Sequence, residues 1–158
     1  LARVLIIDDE GDVRRALMRL LEKAGHRVTE AENGVEALIL VPTGRFDLVT
    51  VDMVMDKMDG VDTIAVLRNE VSCPVVAISA HLTDELCEEM EKLRVSGFLQ
   101  KPFTIQEAQD LVDSIIGQPA LYQTIRTTTQ SIDGSNWSSG TQVRSGREAT
   151  NRQASATS

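Results

Sequence analysis

The stretch FDLVTVDMVMDKMDG, Phe46–Gly60, decides how the rest of the chain is read. Its first part, FDLVTV (Phe46–Val51), is short, rich in β-branched residues and apolar without clean alternation. That is the make-up of a strand covered on both faces, as in a parallel sheet, rather than of one with a wet side. The run stops at Asp52, and an ionised carboxylate is costly to bury alone. Asp52 is therefore expected where the strand gives out, in the company of something cationic. Asp59-Gly60 then opens a helix striped by Val61, Ile64, Ala65 and Leu67.

Outward from this unit the same alternation recurs. RVLII (Arg3–Ile7) leads into a stripe of Val13, Ala16, Leu17, Leu20, Leu21 and Ala24, closed by Gly25. RVTEA (Arg27–Ala31) precedes a helix started by Asn33, and PVVAIS (Pro74–Ser79) precedes Leu82, Leu86, Met90 and Leu93. GFLQ (Gly97–Gln100) precedes Ile105, Ala108, Leu111, Val112 and Ile115. Five strand–helix units predict an α/β domain, a (βα)5 doubly wound parallel sheet with helices on both faces. Such sheets place their sites beyond the carboxyl ends of the strands.

The totals narrow the function. No apolar run approaches the roughly 20 residues of a membrane span, so no membrane association is expected. LARVLIIDDE passes straight from an apolar run to acids with no small-residue cleavage site, and no signal peptide is read. A net charge of −8 argues against direct nucleic acid binding. Cys73 and Cys87 lack metal-type spacing and read as buried thiols, while His26 and His81 read as solvated. Residues through Gly117 hold 12 bases and 22 acids, a net −10, whereas Gln118 to Ser158 hold 4 bases and 2 acids, a net +2. Of those last 41 residues 14 are Ser or Thr, and no period of 2 or 3.6 persists, so 118–158 is expected to be a disordered, flexible C-terminal tail or linker after a domain of residues 1–117.

The residues that close the strands belong together chemically. The first run ends in Asp8, Asp9 and Glu10, the third in Asp52, the fourth in Ser79-Ala80 and the fifth in Lys101-Pro102. The second contributes nothing comparable, which suits a place at the rim. Clustered carboxylates repel one another, and one lysine cannot neutralise them, so the set asks for a divalent cation. All-oxygen ligation suits Mg2+ (or Mn2+). A carboxylate beside that charge, a lysine and a hydroxyl is a nucleophile for phosphorus. Taken singly, Asp8-Asp9 also reads as the acidic start of a helix and Ser79 as a helix N-cap.

VLIIDDE, FDLVTVDMVMDKMDG, VVAISA and GFLQKPF stand in the order and spacing of one family. Over residues 1–117 the chain resembles the receiver domain of bacterial two-component response regulators. The resemblance implies a flavodoxin-like strand order, 2-1-3-4-5. It makes Asp52 the phosphoacceptor, served by a sensor histidine kinase or a histidine phosphotransfer protein. Asp9 would ligate Mg2+ directly, Asp8 more loosely, and Val54 through its backbone carbonyl. Ser79 would donate its hydroxyl to the aspartyl phosphate and Lys101 would pair with a phosphoryl oxygen. Lys101-Pro102 resembles a family turn with a cis bond, and Phe98 occupies an aromatic switch position, its ring moving inward as Ser79 is drawn to the phosphate. A cytoplasmic switch is implied, catalysing only its own phosphorylation and dephosphorylation and open to a phosphorylation-dependent dimer.

Two departures stand out. Asp56 replaces the proline usual four after the acceptor, and Arg94-Val95-Ser96 replaces the glycine that often ends the fourth helix. Two other functions compete: a receiver-shaped interaction module that is never phosphorylated, and a phosphatase of the haloacid-dehalogenase type. The latter resembles Asp-x-Asp at its nucleophile, where this chain has Val54.

Overall fold

The expected β-branched runs do become strands: β1 (Arg3–Ile7), β2 (Arg27–Ala31), β3 (Leu48–Asp52), β4 (Val75–Ser79) and β5 (Gly97–Gln100). The structure is a computed structural model of the chain and describes residues 1–117 and 141–143. The five strands are parallel in the order 2-1-3-4-5, as the resemblance implied. Every residue of β3 and β4 is buried, which explains their lack of polar alternation; β2, at the rim, is only half-buried. β3 begins at Leu48 rather than Phe46. Asp47 is drawn aside to Arg3, its carboxylate accepting from the Arg3 N–H at 2.7 Å.

The helices are α1 (Gly11–Lys23), α2 (Gly34–Leu40) with a 3₁₀ turn over Val41–Thr43, α3 (Gly60–Glu70), α4 (Asp84–Lys92) and α5 (Ile105–Gly117). Their starts are set by side chains. Asn33, Asp59 and Thr83 each accept from a backbone N–H three residues on, satisfying donors that a helix otherwise leaves open. α1 ends in a Schellman motif, with His26 N–H on Leu21 O, Gly25 N–H on Glu22 O and Gly25 at φ +93°. α4 ends the same way, with Val95 N–H on Met90 O and Arg94 N–H on Glu91 O, but the left-handed residue is Arg94, at φ 56°. The Arg68 guanidinium covers this end. It donates to Leu93 O at 2.9 Å, to Arg94 O, and to Cys73 O at 3.0 Å.

Two apolar layers flank the sheet. Leu5, Ile7, Val49, Val51, Ala77 and Phe98 face α2, α3 and α4, whereas Val4, Ile6, Val76, Ile78 and Leu99 face α1 and α5. Cys87 is buried and Cys73 half-buried. His81 is exposed as expected; His26 is half-buried instead, its Nδ1 accepting from Ala2 N–H at 3.2 Å.

One element was not expected. A sixth strand, β6 (Thr141–Val143), pairs antiparallel with the outer edge of β5. Three residues are too few for a period to show in the sequence. The rest of the tail assignment, 118–140 and 144–158, lies outside the described residues.

Candidate functional site

Parallel register carries the strand ends to one edge. β1 and β3 pair with Ile7 opposite Val51, so Asp8 and Asp52 both emerge just beyond that pair, and Asp52 stands opposite Ile78, one residue before Ser79. Asp8, Asp52 and Ser79 are buried, at 1%, 3% and 1% exposure. Lys101 follows β5 directly and is held there by its N–H on Ser79 O at 2.8 Å. The Lys101-Pro102 bond is cis.

The side chains converge on the lysine. Lys101 Nζ lies 3.0 Å from Glu10 Oε1, 3.2 Å from Asp52 Oδ2 and 3.5 Å from Asp8 Oδ2. The other Asp52 oxygen, Oδ1, accepts from Val54 N–H at 3.2 Å. Ser79 Oγ is occupied within its own turn, donating to His81 O at 2.9 Å and accepting from His81 N–H at 3.2 Å. Phe98 is 2% exposed, its ring already in the layer that includes Cys87, Met90 and Val95. Val54 is exposed, as are Asp56 and Lys57 in the loop before α3.

The acids that gather are not quite those expected. Asp8, Glu10 and Asp52 each place a carboxylate oxygen within 4.8 Å of the others. Asp9 is exposed and outside that group. The chain turns where Asp8 Oδ1 accepts from Glu10 N–H at 2.8 Å, and Glu10, the residue before α1, makes no cap bond but reaches Lys101 instead. Sequence reading placed Glu10 at the strand end without giving it a role; its reach depends on this turn. Gly60 was also underrated. A Cβ there would lie 2.4 Å from Met53 Cα and 2.6 Å from Asp52 O, so only glycine lets α3 approach the end of β3 this closely.

The electrostatics are unbalanced. Burial pushes the Asp8 carboxyl up to about 6, and the charge of Asp52 adds to the rise; the Glu10 N–H bond and Lys101 pull the other way. Burial alone would lower Lys101, but its bond to Glu10 and the charges of Asp8 and Asp52 raise it on balance. One ammonium faces three carboxylates, and hard oxygen donors with surplus negative charge fit a divalent cation of the Mg2+ type. Both Asp52 oxygens are hydrogen-bonded, Oδ2 to the Lys101 ammonium and Oδ1 to Val54 N–H, so negative charge gathered at this carboxylate meets a cation already in place.

A family model for the response regulator receiver domain matches residues 4–113. The chain belongs to that family. It is 33% identical to chemotaxis protein CheY-3 of Vibrio cholerae over 117 residues, covering 72% of this chain and 90% of CheY-3. It is 32% identical to the probable transcriptional regulator ycf27 of Porphyra purpurea, covering 72% of this chain, and 34% identical to the response regulator MprA of a Mycobacterium species, covering 66%. This receiver-containing chain spans about half the length of those two relatives, 47% and 46%. Among solved structures, Vibrio cholerae CheY4 superposes with a TM-score of 0.70 at 26% identity, covering 73% of this chain and 98% of CheY4. A Francisella response regulator receiver domain gives 0.69 at 29%, covering 75% and 99%.

Proposed function

We propose that Asp52 of this receiver accepts a phosphoryl group from the phosphohistidine of a sensor histidine kinase or a histidine phosphotransfer protein. The observation that carries this reading is Lys101 Nζ at 3.2 Å from Asp52 Oδ2, with Asp8 buried beside the pair. In the transfer, an Asp52 carboxylate oxygen forms a bond to phosphorus while the phosphorus–nitrogen bond to the donor imidazole breaks. The imidazole keeps the electron pair and takes up a proton, and an acyl phosphate remains on Asp52. Lys101 exchanges a carboxylate partner for a phosphoryl oxygen. Ser79 gives up its bond to His81 O and donates to another, and Phe98 repacks in response. The face altered by that repacking meets a target protein.

Mg2+ or Mn2+ in the acidic group would supply positive charge to the phosphoryl oxygens as they gain it. Asp8, Asp9, Asp52 and the Val54 carbonyl are the proposed ligands, Asp9 on the resemblance of the DDE run, and Glu10 is near enough to join them. We place the protein in the cytoplasm; among the described residues no helix is long and apolar enough to cross a membrane. The acidic body, at net −10, is not proposed to touch nucleic acid itself.

The test is incubation with Mg2+ and a small acyl-phosphate donor, followed by intact-mass measurement beside Asp52→Asn. One phosphoryl per chain, absent from the variant, is the expected result. No adduct would favour the interaction module, and continuous donor hydrolysis would favour the phosphatase.

A further inference from the structure

The outer edge of β5 does not end in solvent. β6 lies along it with Gly97 opposite Val143, Phe98 opposite Gln142 and Leu99 opposite Thr141, and β6 also runs beside α5. An open strand edge is a row of unpaired N–H and C=O groups that recruits strands from other molecules. At the sheet's other rim, β2 is five residues long with charged residues at Arg27 and Glu30. β5 carries no such charge: its residues are Gly97, Phe98, Leu99 and Gln100.

Charge favours the same pairing. The segment from Gln118 onward carries net +2 and the body net −10, and Arg144 is the next residue after the strand in sequence, so the two are of complementary charge. The pairing is also weak enough to open. Three residues make few ladder bonds, each contributing about 1 kcal/mol net. Closing the 23-residue connection from Gln118 to Gly140 opposes them, by a cost that rises only slowly with length.

We propose that Thr141–Val143 is a cap in cis, an intramolecular strand that closes the β5 edge against strand addition by a second copy of this chain. The proposal stands whether or not Asp52 is phosphorylated. It also gives the segment after the domain a task that needs backbone rather than side-chain complementarity. That suits a stretch with no core-forming pattern.

The experiment compares the full chain with Thr141→Pro/Gln142→Pro. Two consecutive prolines remove a ladder donor whichever residue faces β5. A second variant, Ala154→Pro/Ala156→Pro, carries the same prolines outside the strand. Hydrogen exchange is followed over Gly97–Leu99, and association is followed by sedimentation. We expect exchange of the outward β5 amides to rise about 5-fold in the strand variant, the ratio that corresponds to loss of about 1 kcal/mol. That variant is expected to dimerise with concentration while the parent and the second variant stay monomeric. Circular dichroism identical to the parent's shows that the body is folded. Unchanged exchange would overturn the cap, and faster exchange in a chain that stays monomeric would overturn its guarding role.

Discussion

Asp8 is almost wholly enclosed, and that burial pushes its carboxyl up to about 6, against an ordinary 3.8. A carboxyl whose folded-state pKa exceeds its unfolded one binds protons more tightly when folded. It therefore favours folding fully below pH 3.8, and that contribution is lost as pH rises through 6. Across that window the metal-free protein should lose stability, on the order of 3 kcal/mol for the buried acidic cluster as a whole. Asp8→Asn should flatten the pH dependence between 4 and 6 and raise stability at pH 7, as read by urea unfolding at each pH. Gly60→Ala should cost about 1–3 kcal/mol through overpacking, and should slow phosphoryl uptake because Asp52 O is one of the atoms displaced. That Asp8, Asp52, Ser79 and Lys101 lie at one sheet edge was legible in the sequence because each closes an apolar run; Asp9, read with them, is exposed and outside the acidic group. Glu10 and Gly60 were given no role there, since one depends on a turn at Asp8 and the other on how closely α3 meets β3.

At the level of elements, the end of α4 is where the chain holds an awkward conformation in place. Arg94 occupies a left-handed position that suits glycine, and Arg68 meets the exposed carbonyls around it. Arg94→Gly should stabilise the fold by about 1 kcal/mol, measured by chemical unfolding. Arg68→Ala should destabilise it by about 2–4 kcal/mol, because Leu93 O, Arg94 O and Cys73 O lose a charged donor together. The sequence showed that a glycine was missing there, but not that a residue of α3 would compensate, since that contact spans 25 residues. Strands and helices were otherwise legible because β-branched runs and helical stripes are local signals. β6 was not, because its order comes from the edge it meets and not from its own composition.

For the whole molecule, the site is a rim to which the ends of four strands bring side chains, and its surplus negative charge opposes folding. Mg2+ at 100 times its dissociation constant should stabilise the chain by about 2.7 kcal/mol, seen as a rise in melting temperature, and Asp8→Asn should reduce that gain. Strand order was implied by the resemblance, and parallel pairing made it visible. The two packed layers have a further consequence. Phe98 and Leu99 are adjacent in sequence, yet their side chains enter different halves of the interior. A disturbance that starts at Phe98 meets the helices on one side only, while the seating of α1 and α5 is insulated by the sheet itself. Surface changes on one side of the sheet therefore need not repack the layer on the other.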